Sequence, residues 1–332
     1  MNNHPKIVSA ERSPIRLHDP RAIFFGPFIT RVVGTNESGN TCVITSRRHR
    51  KKLQPLLLLD FENLIHEEMP RKIWFQFWAP KQFSWWMAIF FMIGSALFGL
   101  GAALAIFPSI LTPWWHIPTI NNLVFFVGSI FFTMAGLMQF FEVVNADIAD
   151  ILKALSGATK NKLRWHFFIW RPRSLGYLAC VTQVAGTILF NFNTGDTFYA
   201  GLSTTEQNII IWSPNMLGSI FFLASSVFAY MEVAHRMGYF HLTDITIWMA
   251  LLNFLGSVAF QISAVASFVQ GDGYLLWLTG TNWGTFLGGI CFLVASYLLI
   301  PELFEEEGAI AQKKRAKDTP SPAGPQGLRQ GA

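Results

Sequence analysis

The sequence predicts an all-α membrane protein: six transmembrane helices laid out as three tandem two-helix hairpins, behind a small N-terminal cytoplasmic head. Three observations carry that expectation. Only 14% of the residues are charged and 52% are hydrophobic, with a mean hydropathy of +0.35, against roughly 25% charged in soluble proteins. The apolar residues gather into six runs, at about 84–107, 121–143, 174–193, 213–234, 245–269 and 283–301, each close to the roughly 20 residues that cross a bilayer. The third observation is that these runs are copies of one another.

The clearest copy is 215–232. Gly218-Ser219 is followed by Phe221-Phe222, then Ser225-Ser226, then Glu232. The same skeleton recurs as Gly128-Ser129, Phe131-Phe132, Ala135-Gly136 and Glu142, and as Gly288-Gly289, Phe292, Ala295-Ser296 and Glu302. The step from Gly to Glu is fourteen in all three, the mark of an internal repeat. The odd-numbered spans form a second set, with Gly94-Ser95 and Phe98, Gly186-Thr187 and Phe190, and Gly256-Ser257 and Phe260. Two of them open on a Trp-x-Pro lead, Trp78-Ala79-Pro80-Lys81 and Trp170-Arg171-Pro172-Arg173; the fifth span lacks it. The expected division is therefore a head at 1–83, hairpins at 84–143, 144–234 (with its loop) and 235–304, and a disordered basic tail at 305–332.

Within the head, the β-prone runs at 28–33 and 41–45 flank the turn-rich segment 34–40, which predicts a β-hairpin. The basic tract Arg47, Arg48, His49, Arg50, Lys51 and Lys52 follows. So close to a membrane domain, its expected partner is anionic lipid headgroups rather than nucleic acid. Leu57, Leu58, Phe61, Leu64 and Ile65 then recur at helical spacing behind Pro55, predicting an amphipathic helix with an acidic outer face.

Charge sets the expected orientation. All 25 Lys and Arg fall in the head, in the loops after spans two and four, or in the tail; the loops inside each hairpin hold none. Positive charge marks the cytoplasmic side. Both termini are therefore expected inside, in a multi-pass protein of a bacterial inner membrane. Trp114, Trp115, Trp212, Trp277 and Trp283 suit the opposite interface.

No Asp, Lys or Arg interrupts the spans, which argues against proton relays and voltage sensors. Gln183, Asn215 and Asn253 are the candidate intramembrane polar contacts, as helix-to-helix hydrogen bonds or as a solute path. Glu142, Glu232 and Glu302 each sit near a helix C-terminus, where the dipole disfavours an anion by about 0.3–1 kcal/mol. Three such choices ask for compensating cations. Lys81, Arg171 and Arg173 are the candidates, making an ion-pair collar; a cation-attracting vestibule is the alternative. Cys42, Cys180 and Cys291 form no CxxC, the histidines fit no HExxH, and no phosphate-binding glycine loop occurs. No catalytic set, cofactor or metal is expected.

The basic run at 46–51, the Trp-x-Pro leads, the two N-x-x-G-S elements at Asn215 and Asn253 and the Gly-to-Glu helices resemble the YrhK-like family, an uncharacterised group of bacterial integral membrane proteins. The resemblance implies a helical membrane hairpin and no reaction. The signature that closes odd helices in mitochondrial carriers is absent: those positions read Phe107-Pro108-Ser109, Asn193-Thr194-Gly195 and Gln270-Gly271-Asp272. The expected class is a non-enzymatic structural or partner-binding membrane protein, acting as a homo-oligomer or with a membrane-protein partner. The alternative is a passive channel or carrier for a small uncharged or cationic solute.

Overall fold

A computed structural model describes residues 17–36, 38–50, 56–58, 74–108, 118–145, 166–234 and 245–318, with the backbone alone for 56, 57, 118 and 305–318. The head is an antiparallel sheet in the order β1 (His18–Phe25), β2 (Phe28–Thr35), β3 (Thr41–Thr45), β4 (Leu56–Leu57). The expected hairpin is β2–β3, with Val33 opposite Val43. Its loop is held by Asn36, whose Oδ1 accepts from the backbone N–H of Ser38 and of Asn40. Strands β1 and β2 are joined through Gly26, at a φ of +56° that a side chain would resist. Leu56 and Leu57, expected to open a helix, pair with β3 instead; residues 59–73, where most of that helix was expected, lie outside the described residues.

Six helices are long and apolar enough to cross a membrane. They are α2 (Phe83–Ile106), α3 (Pro118–Val144), α4 (Leu175–Asp196), α5 (Thr204–Ala234), α6 (Ile245–Ala266) and α7 (Leu278–Asp318). Proline opens α3, where its missing N–H costs nothing. Ser174 caps α4 by accepting from Tyr177 N, and Ser203 makes a capping box with Glu206 ahead of α5. Helix α7 runs past its apolar part to Asp318, so the first stretch of the expected disordered tail is helical here.

Each helix packs on its neighbours in the chain, and α7 closes back on α2, making a ring of six. The glycines make this possible. In each hairpin the repeat glycine of one helix faces the repeat phenylalanine of the other, reciprocally. A Cβ at Gly94 would lie 3.0 Å from Phe132, and one at Gly128 would lie 3.0 Å from Phe98. The pairs Gly186 with Phe222, Gly218 with Phe190, Gly256 with Phe292 and Gly288 with Phe260 repeat the pattern. At the closing seam α7 carries Gly289 where other copies carry Ser or Thr; a Cβ there would come within 2.8 Å of Gly99 N on α2. A side chain at that position would press on the α2 backbone across the seam.

All six repeat phenylalanines point to the ring axis and form one buried cluster. Phe98, Phe190 and Phe260, from the odd spans, make a triangle with centroids 5.7–6.3 Å apart. Phe132, Phe222 and Phe292, from the even spans, make a second, 5.7–6.2 Å apart. Within each hairpin the two rings are 5.0–5.4 Å apart, so the triangles stack as a prism. These distances suit aromatic pairing. The outer surface of the ring stays apolar, with Leu123, Ile130, Ile188, Leu217, Leu255 and Leu287 exposed as lipid-facing side chains are. At the head end, Phe75, Trp78, Phe167, Phe168 and Trp170 are exposed beside the starts of α2 and α4, as in the aromatic belt of a membrane interface.

Candidate functional site

The phenylalanine prism divides the axis into two chambers, each with polar side chains in its wall. The chamber on the head side measures about 70 Å³ and the far one about 290 Å³.

The head-side chamber is where the sheet meets the bundle. Strand β3 runs directly into a short helix, α1 (Ser46–Arg50), which Thr45 caps by accepting from Arg48 N at 3.2 Å. Residues three apart lie on one helix face, so Arg47 and Arg50 enter the ring together. Arg47 donates from Nε and Nη2 to Glu302 at 2.8 and 2.9 Å, a bidentate pair. Arg50 donates to both oxygens of Glu232 at 3.1–3.2 Å, and Ser46 Oγ also donates to Glu232. The Arg50 and Glu232 side chains are 7% and 4% exposed, which leaves almost no water to screen the pair. Burial alone would push both guanidiniums down in pKa. The carboxylates of Glu302 and Glu232 outweigh it and hold both above the ordinary arginine value. Gly176 completes the fit: a Cβ there would overlap the Arg50 guanidinium and come within 2.7 Å of Glu232 Oε1.

The sequence-derived candidates fall as follows. Glu232 and Glu302 have the cationic partners their positions call for, but these are Arg50 and Arg47, drawn from the basic tract expected at lipid headgroups. Glu142 accepts from Ser84 Oγ at 3.3 Å, and its charge adds to the field at Arg50. Of the expected collar cations, Lys81 and Arg173 are exposed and Arg171 is half-buried. Arg48 is also half-buried, while Lys51 and Lys52 lie outside the described residues. Gln183 and Asn253 line the head-side chamber, where Gln183 Oε1 lies 3.5 Å from Ser225 Oγ. Asn215 lines the far chamber and donates to Ser267 Oγ at 3.0 Å. The three amides therefore neither share one cavity nor satisfy one another.

The far chamber was not foreseen. It has the Phe98, Phe190 and Phe260 triangle as its floor and polar walls from all three hairpins, including Asn121, Asn193 and Asn282. Part of its wall is a π-helical turn, Gln207–Trp212, at the start of α5. That turn is pinned to the hairpin that follows. Asn208 makes paired hydrogen bonds with the Val269 backbone, and Trp212 Nε1 donates to Ala264 O at 2.8 Å. Short π segments are frequent at functional sites, yet the apolar run Ile209-Ile210-Ile211 gives no sequence sign of one. Trp212, expected at the membrane interface, instead lines this chamber.

No family model matches the chain, and no match to it is found among curated proteins or solved structures.

Proposed function

We propose that the chain is a non-enzymatic structural, partner-binding membrane protein. Its six-helix body holds the head in one fixed orientation at the cytoplasmic face of a bacterial inner membrane. The observation that supports this reading most is the buried clamp of Arg47 on Glu302 and Arg50 on Glu232. Buried ion pairs add little net stability, because desolvation offsets attraction; their attested use is to fix register. Clamping the head is that use. The axis beneath it is filled by packed phenylalanine rings, which suits a scaffold better than an open path. In the same reading the chain shares the two-helix hairpin of the YrhK-like family, both termini are cytoplasmic, and the head's occupant is another membrane-associated protein or a second copy of this chain.

Native mass spectrometry of protein extracted gently from its own membrane tests this. A companion protein, or a homo-oligomer, at fixed stoichiometry is the expected result. A lone chain that carries solute across proteoliposomes would overturn it in favour of a passive channel or carrier for a small uncharged or cationic solute. One observation favours that second reading: the far chamber with its amide side chains, which a pure scaffold does not need.

A further inference from the structure

The far chamber has a chemical bias, and it stands apart from the scaffold reading. Asn122, Asn193 and Gln207 each donate an amide N–H to a backbone carbonyl, of Thr197 at 3.3 Å, Ile211 at 3.0 Å and Leu202 at 3.0 Å. A carbonyl only accepts, so the NH₂ end of each amide is fixed towards it and the oxygen faces the other way. None of these three oxygens has a hydrogen-bond partner among the described residues. Asn121 Oδ1 is buried and also unpartnered, an arrangement that costs free energy unless something completes it.

The hydroxyls are spent in the same sense. Ser263 donates to Thr281 O, Ser267 to Ala264 O and Thr194 to Phe190 O, each at 2.7–2.9 Å. The Trp212 indole N–H is taken by Ala264 O. What these walls offer a ligand is the lone pairs of the fixed amide oxygens, set in a mainly apolar lining with five aromatic rings: Phe98, Phe125, Phe190, Phe260 and Trp212. Among the described residues, no Asp, Glu, Lys, Arg or His lines the chamber.

We propose that the far chamber binds a small organic ammonium ion. Its N–H groups are received by the amide oxygens of Asn121, Asn193 and Gln207, while its charge and short hydrocarbon body rest against the aromatic floor. Size and charge narrow the class. At about 290 Å³ the chamber is at the small end of ligand sites and too roomy for a bare monovalent ion. Without a carboxylate it does not suit a divalent metal. An anion would meet the lone pairs of the fixed amide oxygens.

The test uses the full chain in lipid nanodiscs, with thermal unfolding and isothermal titration calorimetry as readouts. The probes are ethylammonium chloride, 1-propanol (similar size, no charge), tetramethylammonium chloride (charge, no N–H) and sodium chloride at equal ionic strength. Ethylammonium alone is expected to raise the unfolding temperature saturably. Asn121→Asp, which keeps the shape and adds a charge, is expected to tighten ethylammonium by about tenfold or more. Asn121→Leu and Asn193→Leu are expected to weaken it by a similar factor. Any one of four results would overturn the proposal: no saturable response to ethylammonium, an equal response to propanol, an equal response to tetramethylammonium, or an affinity unchanged by Asn121→Asp. The aspartate variant keeps the test decisive if the leucine variants fail to fold.

Discussion

Gly176 and Arg50 show how much a single position decides. Arg50 reaches Glu232 across 182 residues of sequence, and Gly176 leaves room on α4 that a Cβ would take from its guanidinium. Removing the cation alone strands a buried carboxylate, so Arg50→Met is expected to destabilise by about 3–5 kcal/mol. The double variant Arg50→Met/Glu232→Leu is expected to recover most of that loss, because an apolar pair of similar volume avoids desolvation altogether. Equilibrium unfolding of the three proteins in one detergent checks both statements; a double variant no better than the single would remove the ion-pair account. That the glutamates needed cations was legible from their place at helix C-termini. Which cations was not. Lys81, Arg171 and Arg173 were nearer in the order of the chain, but pairing followed the docking of β3 and α1, which no local pattern encodes.

At the scale of elements, the two-helix hairpin was readable because its motif repeats. A glycine with a phenylalanine four residues later occurs in every span, and antiparallel packing of two such helices seats each ring on the other's glycine. The prediction follows from that geometry. A Cβ at Gly186 would sit 2.6 Å from Phe222 Cδ2, so Gly186→Ala must push the ring or the helices apart. Overpacking of this kind costs about 1–3 kcal/mol. Gly136, on the same helix as Gly128 but seating no phenylalanine ring, would meet nothing nearer than 3.6 Å; Gly136→Ala is expected to be neutral or slightly stabilising, given alanine's better helix propensity. Equal losses for the two variants, measured by thermal unfolding in lipid, would mean that the motif is incidental to packing. Other elements were illegible for identifiable reasons. Strand β4 has two residues, too few to show alternation, and the π turn in α5 runs through the continuous apolar Ile209-Ile210-Ile211, where no periodicity is left to reveal a change of pitch.

At the scale of the molecule, six spans and a closed ring fix a relation that composition only suggested. An even number of crossings puts the head and the end of α7 on the same side. The Arg47–Glu302 pair joins those two ends of the chain directly. The hairpin loops at the far end hold no Lys or Arg, so the charge asymmetry and the ion pairs agree on which ends lie together. The proposed reading puts that side in the cytoplasm, following the positive-inside tendency. Single-cysteine labelling of intact cells with a membrane-impermeant maleimide tests the assignment, once Cys42, Cys180 and Cys291 have been replaced. Tyr199→Cys, at an exposed position in a far loop, is expected to label from outside; Trp78→Cys, exposed at the head end, is expected to label only after the membrane is opened. The reverse pattern would place the clamp and the head outside. The far chamber would then face the cytoplasm, so any ligand it holds would come from the cell's own pool rather than from its surroundings.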